Sequence, residues 1–255
     1  MRIAVKIGTS TLTYPNGRLN IRRTEELCKV VSDLKNAGNE IILISSGAIG
    51  MGTSKLSLQE RPTDMATKQA AAAVGQCELM YIYDRQFSDY NHNVAQILIT
   101  ASDINHEDRK QNFIRTLERL LQLSVIPIIN ENDTIATEEI VIGDNDTLAA
   151  VVATNAGADL LILLSDIDGL YTADPHQDPD AKLITEVRGI DDAVLSLGGE
   201  SISGVGTGGM KTKLLAAKMC MEAGLNMVIA NGKDPDILYA IAAGECVGTR
   251  FIAKQ

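Results

Sequence analysis

Six short apolar runs recur along the chain: RIAVKIG (Arg2–Gly8), NEIILISS (Asn39–Ser46), NVAQILIT (Asn93–Thr100), VIPIIN (Val125–Asn130), ADLLILLS (Ala158–Ser165) and LNMVIAN (Leu225–Asn231). Each has strand length, and segments of helical period lie between them. Leu27, Val30, Val31 and Leu34 share one helical face that Gly38 closes. Ala70, Val74, Cys77 and Tyr81 continue a helical period, as do Ile114, Leu117 and Leu121, and a further helix opens near Lys211. Apolar strands alternating with amphipathic helices predict a layered α/β fold around a mostly parallel sheet.

With 255 residues, no internal repeat and no Pro/Gly/Ser linker, one domain spanning 1–255 is the simplest organisation, with room for two lobes. A net charge of −10 and the absence of tryptophan argue against a nucleic-acid or anionic-membrane partner, both of which demand a basic face. A small anionic ligand needs only a local cluster of cations. Cys28, Cys77, Cys220 and Cys246 are scattered without a C-x-x-C pair, as free thiols in a reducing compartment would be. The chain enters a strand at once and holds no apolar run of about 18 residues, so a cytoplasmic protein without signal peptide or membrane span is expected.

In parallel sheets, ligands gather at the carboxyl ends of strands, where turns lead into helices. The turns here are unusual. KIGTS (Lys6–Ser10) puts a lysine inside a strand, a costly placement unless it projects into a site. SSGAIG (Ser45–Gly50), NENDT (Asn130–Thr134) and GDNDTLAA (Gly143–Ala150) follow the same plan. Any one Asp or Asn there could be a helix cap; their recurrence points to a shared site.

GVGTGGMKTK (Gly204–Lys213) meets the dinucleotide pattern through Gly204, Gly206 and Gly209, and also opens like a P-loop. Neither reading survives its context. LGGESIS before it is turn-like rather than a strand, and Met210 stands where a P-loop lysine belongs. What remains is a glycine-rich loop running into a helix start through Lys211, Thr212 and Lys213. That is either an ordinary surface loop or a place for phosphate.

KIGTS, SSGAIG, NENDT, GDNDTLAA, LLSDIDGLYTADP and GTGGMKTK, taken in order over nearly the whole chain, resemble the amino acid kinase family, and within it the members whose acceptor is L-glutamate. NENDT, the GDND segment and GTGGMKTK together are the most specific; LSDIDGLYTADP alone indicates only the broader family. The resemblance implies a three-layer α/β/α sandwich with a mostly parallel central sheet. It places an amino-acid site in the N-terminal lobe and an ATP site in the C-terminal lobe. The implied reaction moves a phosphoryl group from Mg-ATP to the side-chain carboxylate of glutamate, the first step of proline biosynthesis.

By the same resemblance Lys6 and Lys213 clamp the transferring group, and Asp146 holds their ammonium groups apart. Ser46, Gly47, Ala48, Asp133 and Asn145 fall among the amino-acid contacts, with Asp133 the natural partner of the α-ammonium. Lys6, Gly8, Ser165, Asp166, Thr207, Gly208, Gly209, Met210, Lys211, Thr212 and Lys213 fall among the ATP contacts, whereas Asp168-Gly169 reads first as a plain turn. Mg²⁺ is expected with the nucleotide rather than in a protein cage. A homo-oligomer (dimer or tetramer) and feedback inhibition by proline also follow from the resemblance. Many members carry an additional C-terminal PUA domain, whereas this chain stops soon after GTRF (Gly248–Phe251), so a kinase domain alone is expected.

The chemistry suits these residues. A side-chain carboxylate, with an ordinary pKa of about 4.3, is already ionised at neutral pH. It needs no general base, and the segments contain no histidine; it needs neutralisation against a triphosphate. Kinases of the same family acting on acetylglutamate, aspartate, carbamate or a nucleoside monophosphate remain alternatives, as does a non-catalytic amino-acid sensor.

Overall fold

The computed structural model describes residues 1–14, 17–136, 145–175, 177–199 and 209–254. In chain order the elements begin with β1 (Arg2–Ile7), α1 (Thr9–Leu12), α2 (Ile21–Asn36), β2 (Glu40–Ile44), α3 (Ala48–Lys55) and α4 (Met65–Ser88). Next come β3 (Val94–Ile99), α5 (Ala101–Asn105), α6 (Glu107–Gln122), β4 (Ile126–Glu131), α7 (Asn145–Asn155) and β5 (Leu160–Ser165). The short strands β6 (Leu170–Tyr171), β7 (Leu183–Ile184) and β8 (Glu186–Val187) follow, then α8 (Asp192–Ser196) and α9 (Met210–Glu222). The last are β9 (Asn226–Asn231), α10 (Ile237–Ala242) and β10 (Thr249–Phe251).

Among the described residues eight strands join in one sheet in the order β3-β4-β2-β1-β5-β9-β10-β8, and β6 and β7 form a separate ribbon. From β3 to β9 every pairing is parallel; β10 runs antiparallel to β9. Each of the six apolar runs supplies one strand of the parallel part. β1 lies between β2 and β5, with Lys6 in register with Ile44 and Leu163. Alternate side chains feed two cores. Ala4, Ile42, Ile44, Leu161 and Leu163 pack with Leu117 of α6, Leu148 of α7 and Leu214 of α9. Ile3, Val5, Leu43 and Ile162 pack with Leu27 of α2, Leu79 and Tyr83 of α4, and Leu238 of α10. Helices therefore cover both faces of the sheet, as a three-layer α/β/α sandwich requires.

Local signals set the helix ends. The side chain of Asn20 caps α2 and that of Asp64 caps α4, while Thr100 and Asp103 form a capping box on α5. The four cysteines are free thiols. Among the described residues no helix is long and apolar enough to cross a membrane.

The helical period read through Ala70, Val74, Cys77 and Tyr81 is real, but that stripe faces outward. Tyr81 is 61% exposed, and α4 buries Ala71, Ala72, Gly75, Gln76, Leu79, Tyr83 and Phe87 instead. The reason is close packing. A Cβ on Gly52 would lie 1.8 Å from the carbonyl oxygen of Ala71, and one on Gly75 would lie 1.8 Å from that of Ala48. Small residues let the backbones of α3 and α4 nearly touch, and the buried face includes a Gly and a Gln that apolar periodicity does not register.

Gly75→Ala should lower stability by about 2 kcal/mol, because overlap with a helix backbone outweighs the roughly 1 kcal/mol that alanine gains over glycine in helix propensity. The midpoint of urea unfolding reads this directly. An unchanged or higher midpoint would mean that α3 and α4 separate without cost.

Candidate active site

Parallel strands end on the same edge of the sheet, so β1, β2, β4 and β5 bring Lys6, Ser45–Ser46, Asn130–Glu131 and Ser165 to one rim. α7 and α9 start above that rim on the face to which Lys6 points. Asp146 is in the first turn of α7 and Lys213 in the first turn of α9. The three side chains meet: Lys6 Nζ lies 2.7 Å from Asp146 Oδ1, and Lys213 Nζ donates to Asp146 Oδ2 at 3.0 Å. All three residues are buried. The Thr212 hydroxyl donates to the same Oδ2 at 3.0 Å. Burial alone would push the Asp146 carboxyl up, but the two adjacent ammonium groups outweigh it and hold the carboxyl below its ordinary range. Two cations around one anion leave a net positive charge.

Beside this cluster lies a network of amides and hydroxyls. Asn145 Nδ2 donates to the Ser45 carbonyl oxygen at 2.5 Å and to Ser46 Oγ at 2.8 Å, and the same NH₂ lies 3.1 Å from Asn130 Oδ1, an acceptor that shares one of its two hydrogens. Asn130 Nδ2 in turn donates to Gln76 Oε1 at 2.9 Å. Ser45 Oγ shares a 3.0 Å hydrogen bond with the Tyr83 hydroxyl, whose pKa burial pushes up. Gly47 takes the left-handed conformation (φ +95°) that starts α3 at Ala48, a backbone turn suited to glycine. Asp133 sits in the turn after β4, and Gln69 of α4 ties that turn down by donating to the Ala136 carbonyl at 3.2 Å. Burial, then the nearby Glu131 charge, push the Asp133 pKa up to about 6.

At the ends of β5 and β9, Ser165 Oγ donates to Asp166 Oδ1 at 3.1 Å, and Gly8 N–H reaches the Leu164 carbonyl at 3.3 Å. A cleft of about 190 Å³ is lined by Ser10, Thr11, Arg23, Ser165, Asp166, Asn231 and Lys233. Sequence reading did not single out Arg23, Asn231 or Lys233. The strand-end rule points to Asn231 and Lys233 at the end of β9, whereas Arg23 comes from α2 and carries no local signal. Gly209 caps α9 and Met210 is half-buried, but Lys211 projects to solvent and stays outside the Lys6–Asp146–Lys213 group. Thr207 and Gly208, like Gly143, Asp144, Gly204 and Gly206, lie outside the described residues. Asp168-Gly169 is a structural turn: Asp168 accepts from Asn231 and Tyr171, and Gly169 packs tightly against Thr249. Among the described residues no group of three or more His, Cys, Asp or Glu could hold a metal ion.

The model of the amino acid kinase family matches residues 1–231, and the chain belongs to that family. The glutamate 5-kinase of Clostridium perfringens is 49% identical over 258 residues, an alignment covering all of this chain and 96% of that protein. The glutamate 5-kinase of Listeria innocua is likewise 49% identical, covering 100% and 94%. That of Caldanaerobacter subterraneus is 51% identical, and the alignment takes in all of this chain but 68% of the relative. Among solved structures, the UMP kinase from Bacillus anthracis superposes with a TM-score of 0.67 at 15% identity, over 100% of this chain and 96% of that one. The isopentenyl phosphate kinase of T. acidophilum gives 0.67 at 17% identity, over 98% and 100%. At such identities these two structures speak for the fold alone.

Replacing Asp146 leaves two buried ammonium groups facing each other. Asp146→Asn should cost about 3 kcal/mol at pH 7, the scale for breaking a buried ion pair. Since the folded Asp146 titrates below its ordinary value, its stabilisation is complete above about pH 4 and fades as pH falls through the lower folded pKa. The wild-type and Asp146→Asn unfolding midpoints should therefore converge below about pH 4. A gap that stays constant down to pH 3 contradicts this account.

Proposed function

We propose that the chain acts as a glutamate 5-kinase, transferring the γ-phosphoryl group of ATP to the side-chain carboxylate of L-glutamate, the opening step of proline biosynthesis. The observation that carries the chemistry is the buried pair of lysines held on opposite oxygens of one aspartate. A glutamate γ-carboxylate oxygen forms a bond to the γ-phosphorus while the bond from that phosphorus to the β,γ-bridging oxygen breaks. γ-Glutamyl phosphate and ADP result. No proton is removed from the nucleophile, so the work is charge neutralisation and alignment. Lys6 and Lys213 lie on either side of the transferring group, and Asp146 keeps their ammonium groups at fixed separation. Mg²⁺ arriving with ATP offsets charge on the phosphates.

On this reading the N-terminal lobe takes the amino acid and the C-terminal lobe the nucleotide. Ser46, Gly47, Ala48 and Asn145 face the glutamate, and Asp133 pairs with its α-ammonium. Gly8, Ser165, Asp166, Thr207, Gly208, Gly209 and the first turn of α9 (Met210, Lys211, Thr212 and Lys213) serve ATP, with exposed Lys211 at the outer side. The Asp133 carboxylate distinguishes a free amino acid from an N-acetylated one, which has no cation to pair with it. A cytoplasmic homo-oligomer, with proline as feedback inhibitor, completes the proposal.

Purified protein given Mg-ATP, L-glutamate and hydroxylamine should form γ-glutamyl hydroxamate; product with aspartate or N-acetylglutamate alone would move the acceptor assignment. Lys213→Ala should lower kcat by about 10²–10³ while the KM for glutamate changes little. Near-normal turnover in that variant would remove Lys213 from the mechanism. Asp133 must be ionised to pair with an ammonium, so the KM for glutamate should rise as pH falls through about 6, with the KM for ATP unaffected. Asp133→Asn should bind glutamate weakly and lack this pH step; a step that persists assigns it to another group.

A further inference from the structure

We propose that Arg23 of α2 and Lys233, just past β9, bind the α- and β-phosphates of the donor nucleotide in the cleft at the ends of β5 and β9; this rests on ATP being the donor. The cleft measures about 190 Å³. That is less than the roughly 300 Å³ at which clefts begin to take whole drug-sized molecules, so it fits one part of a nucleotide. Its lining says which part. All seven lining residues are polar, and none offers an aromatic or aliphatic surface for a base to rest on. Two of them are cations and one, Asp166, is a carboxylate. The cleft is therefore locally positive in a chain whose net charge is −10.

Both cations are anchored and still have donors to give. Arg23 Nη1 donates to the Ser10 carbonyl oxygen at 3.1 Å, the one side-chain hydrogen bond of Arg23 among the described residues. The guanidinium is thereby oriented while its other N–H groups stay available, and a planar fork of donors suits phosphate oxygens. The Lys233 backbone N–H donates to Asn231 Oδ1 at 2.9 Å, which seats this exposed lysine beside the cleft. Among the described residues its ammonium pairs with no carboxylate. Gly8 joins the cleft to the lysine cluster. Lys6 Nζ and the Oγ of Ser10, a wall of the cleft, lie 3.8 and 3.7 Å from the place that a Cβ on Gly8 would take. The two sites meet across one glycine, which puts no side chain between them. A γ-phosphoryl group held by Lys6 and Lys213 therefore brings the phosphates behind it to the cleft.

The test measures binding of Mg-ADP, adenosine and inorganic phosphate by calorimetry for the wild type, Arg23→Met and Lys233→Met. Thermal melting and the KM for glutamate check the fold. Each substitution keeps a flexible side chain and removes the cation. Affinity for Mg-ADP should fall about tenfold in Arg23→Met, as loss of hydrogen bonds to a charged group predicts. In Lys233→Met, where the charge is exposed, it should fall about threefold. Adenosine affinity and the KM for glutamate should stay unchanged, and inorganic phosphate should compete with ADP in the wild type. Because Arg23 also holds the Ser10 carbonyl, Lys233→Met alone decides the matter if Arg23→Met melts early. Unchanged ADP affinity in the folded variants overturns the proposal, and so does an equal loss for adenosine, which would put the cations on the nucleoside. Inorganic phosphate that binds alongside ADP, and is lost in the variants, would make the cleft a separate anion site and overturn it as well. A wild type that binds no nucleotide at all would instead sink the reading of function on which the proposal rests.

Discussion

The structure depends on one buried carboxylate held between two buried ammonium groups. Lys6, Asp146 and Lys213 come from a central strand and two helices far apart in sequence, and each would be prohibitively placed without the others. Their meeting requires β1 inside the sheet and both α7 and α9 on the same face of it. The sheet order delivers this: with β1 between β2 and β5, the lysine rises where helices from both halves of the chain can converge. An apolar trio would fill the space at lower desolvation cost. The arrangement makes sense as a site in which surplus positive charge waits for phosphate.

The amide network is a second consequence of the same rim. Asn145 neighbours Asp146 at the start of α7, so the helix that completes the lysine cluster also reaches Ser45, Ser46 and Asn130. One helix start thereby joins the charged centre to the polar floor beside it. The close crossing of α3 and α4 at Gly52 and Gly75 holds that floor from the other side. Displacing α4 by the thickness of a methyl group would pull Gln76 off Asn130, so the packing of small residues and the orientation of the amides are one constraint.

Much of this was legible in the sequence. The six apolar runs are strands because residues apolar on both faces have no other stable place, and the lysine within the first of them already signalled a site. Asp146 and Lys213 were readable as helix-start residues within the resembling motifs. The face of α4 was not, because its buried stripe contains Gly75 and Gln76 and its outer stripe contains Val74 and Tyr81; apolar type and burial part company there. Gln76 and Tyr83 act through partners 54 and 38 residues away in sequence, contacts that only the parallel sheet creates. Arg23 in the cleft is hidden for the same reason.

The order of strand ends also bears on acceptor length. From β1 to β4 the rim crosses two strand spacings, about 10 Å. Over that distance its character changes from two lysines, through hydroxyls and amides, to the carboxylate of Asp133. On the proposed function an acceptor with an anion at one end and an ammonium at the other would be read by this gradient as a whole, each end meeting its opposite charge. On the proposed reading a side chain one methylene shorter cannot satisfy both ends: holding its ammonium at Asp133 withdraws its carboxylate from the phosphate, and the reverse leaves the half-buried Asp133 without its cation. Discrimination by length then needs no bulky gate. It follows from spacing that the sheet already imposes, and from the loss of one charge pairing or the other.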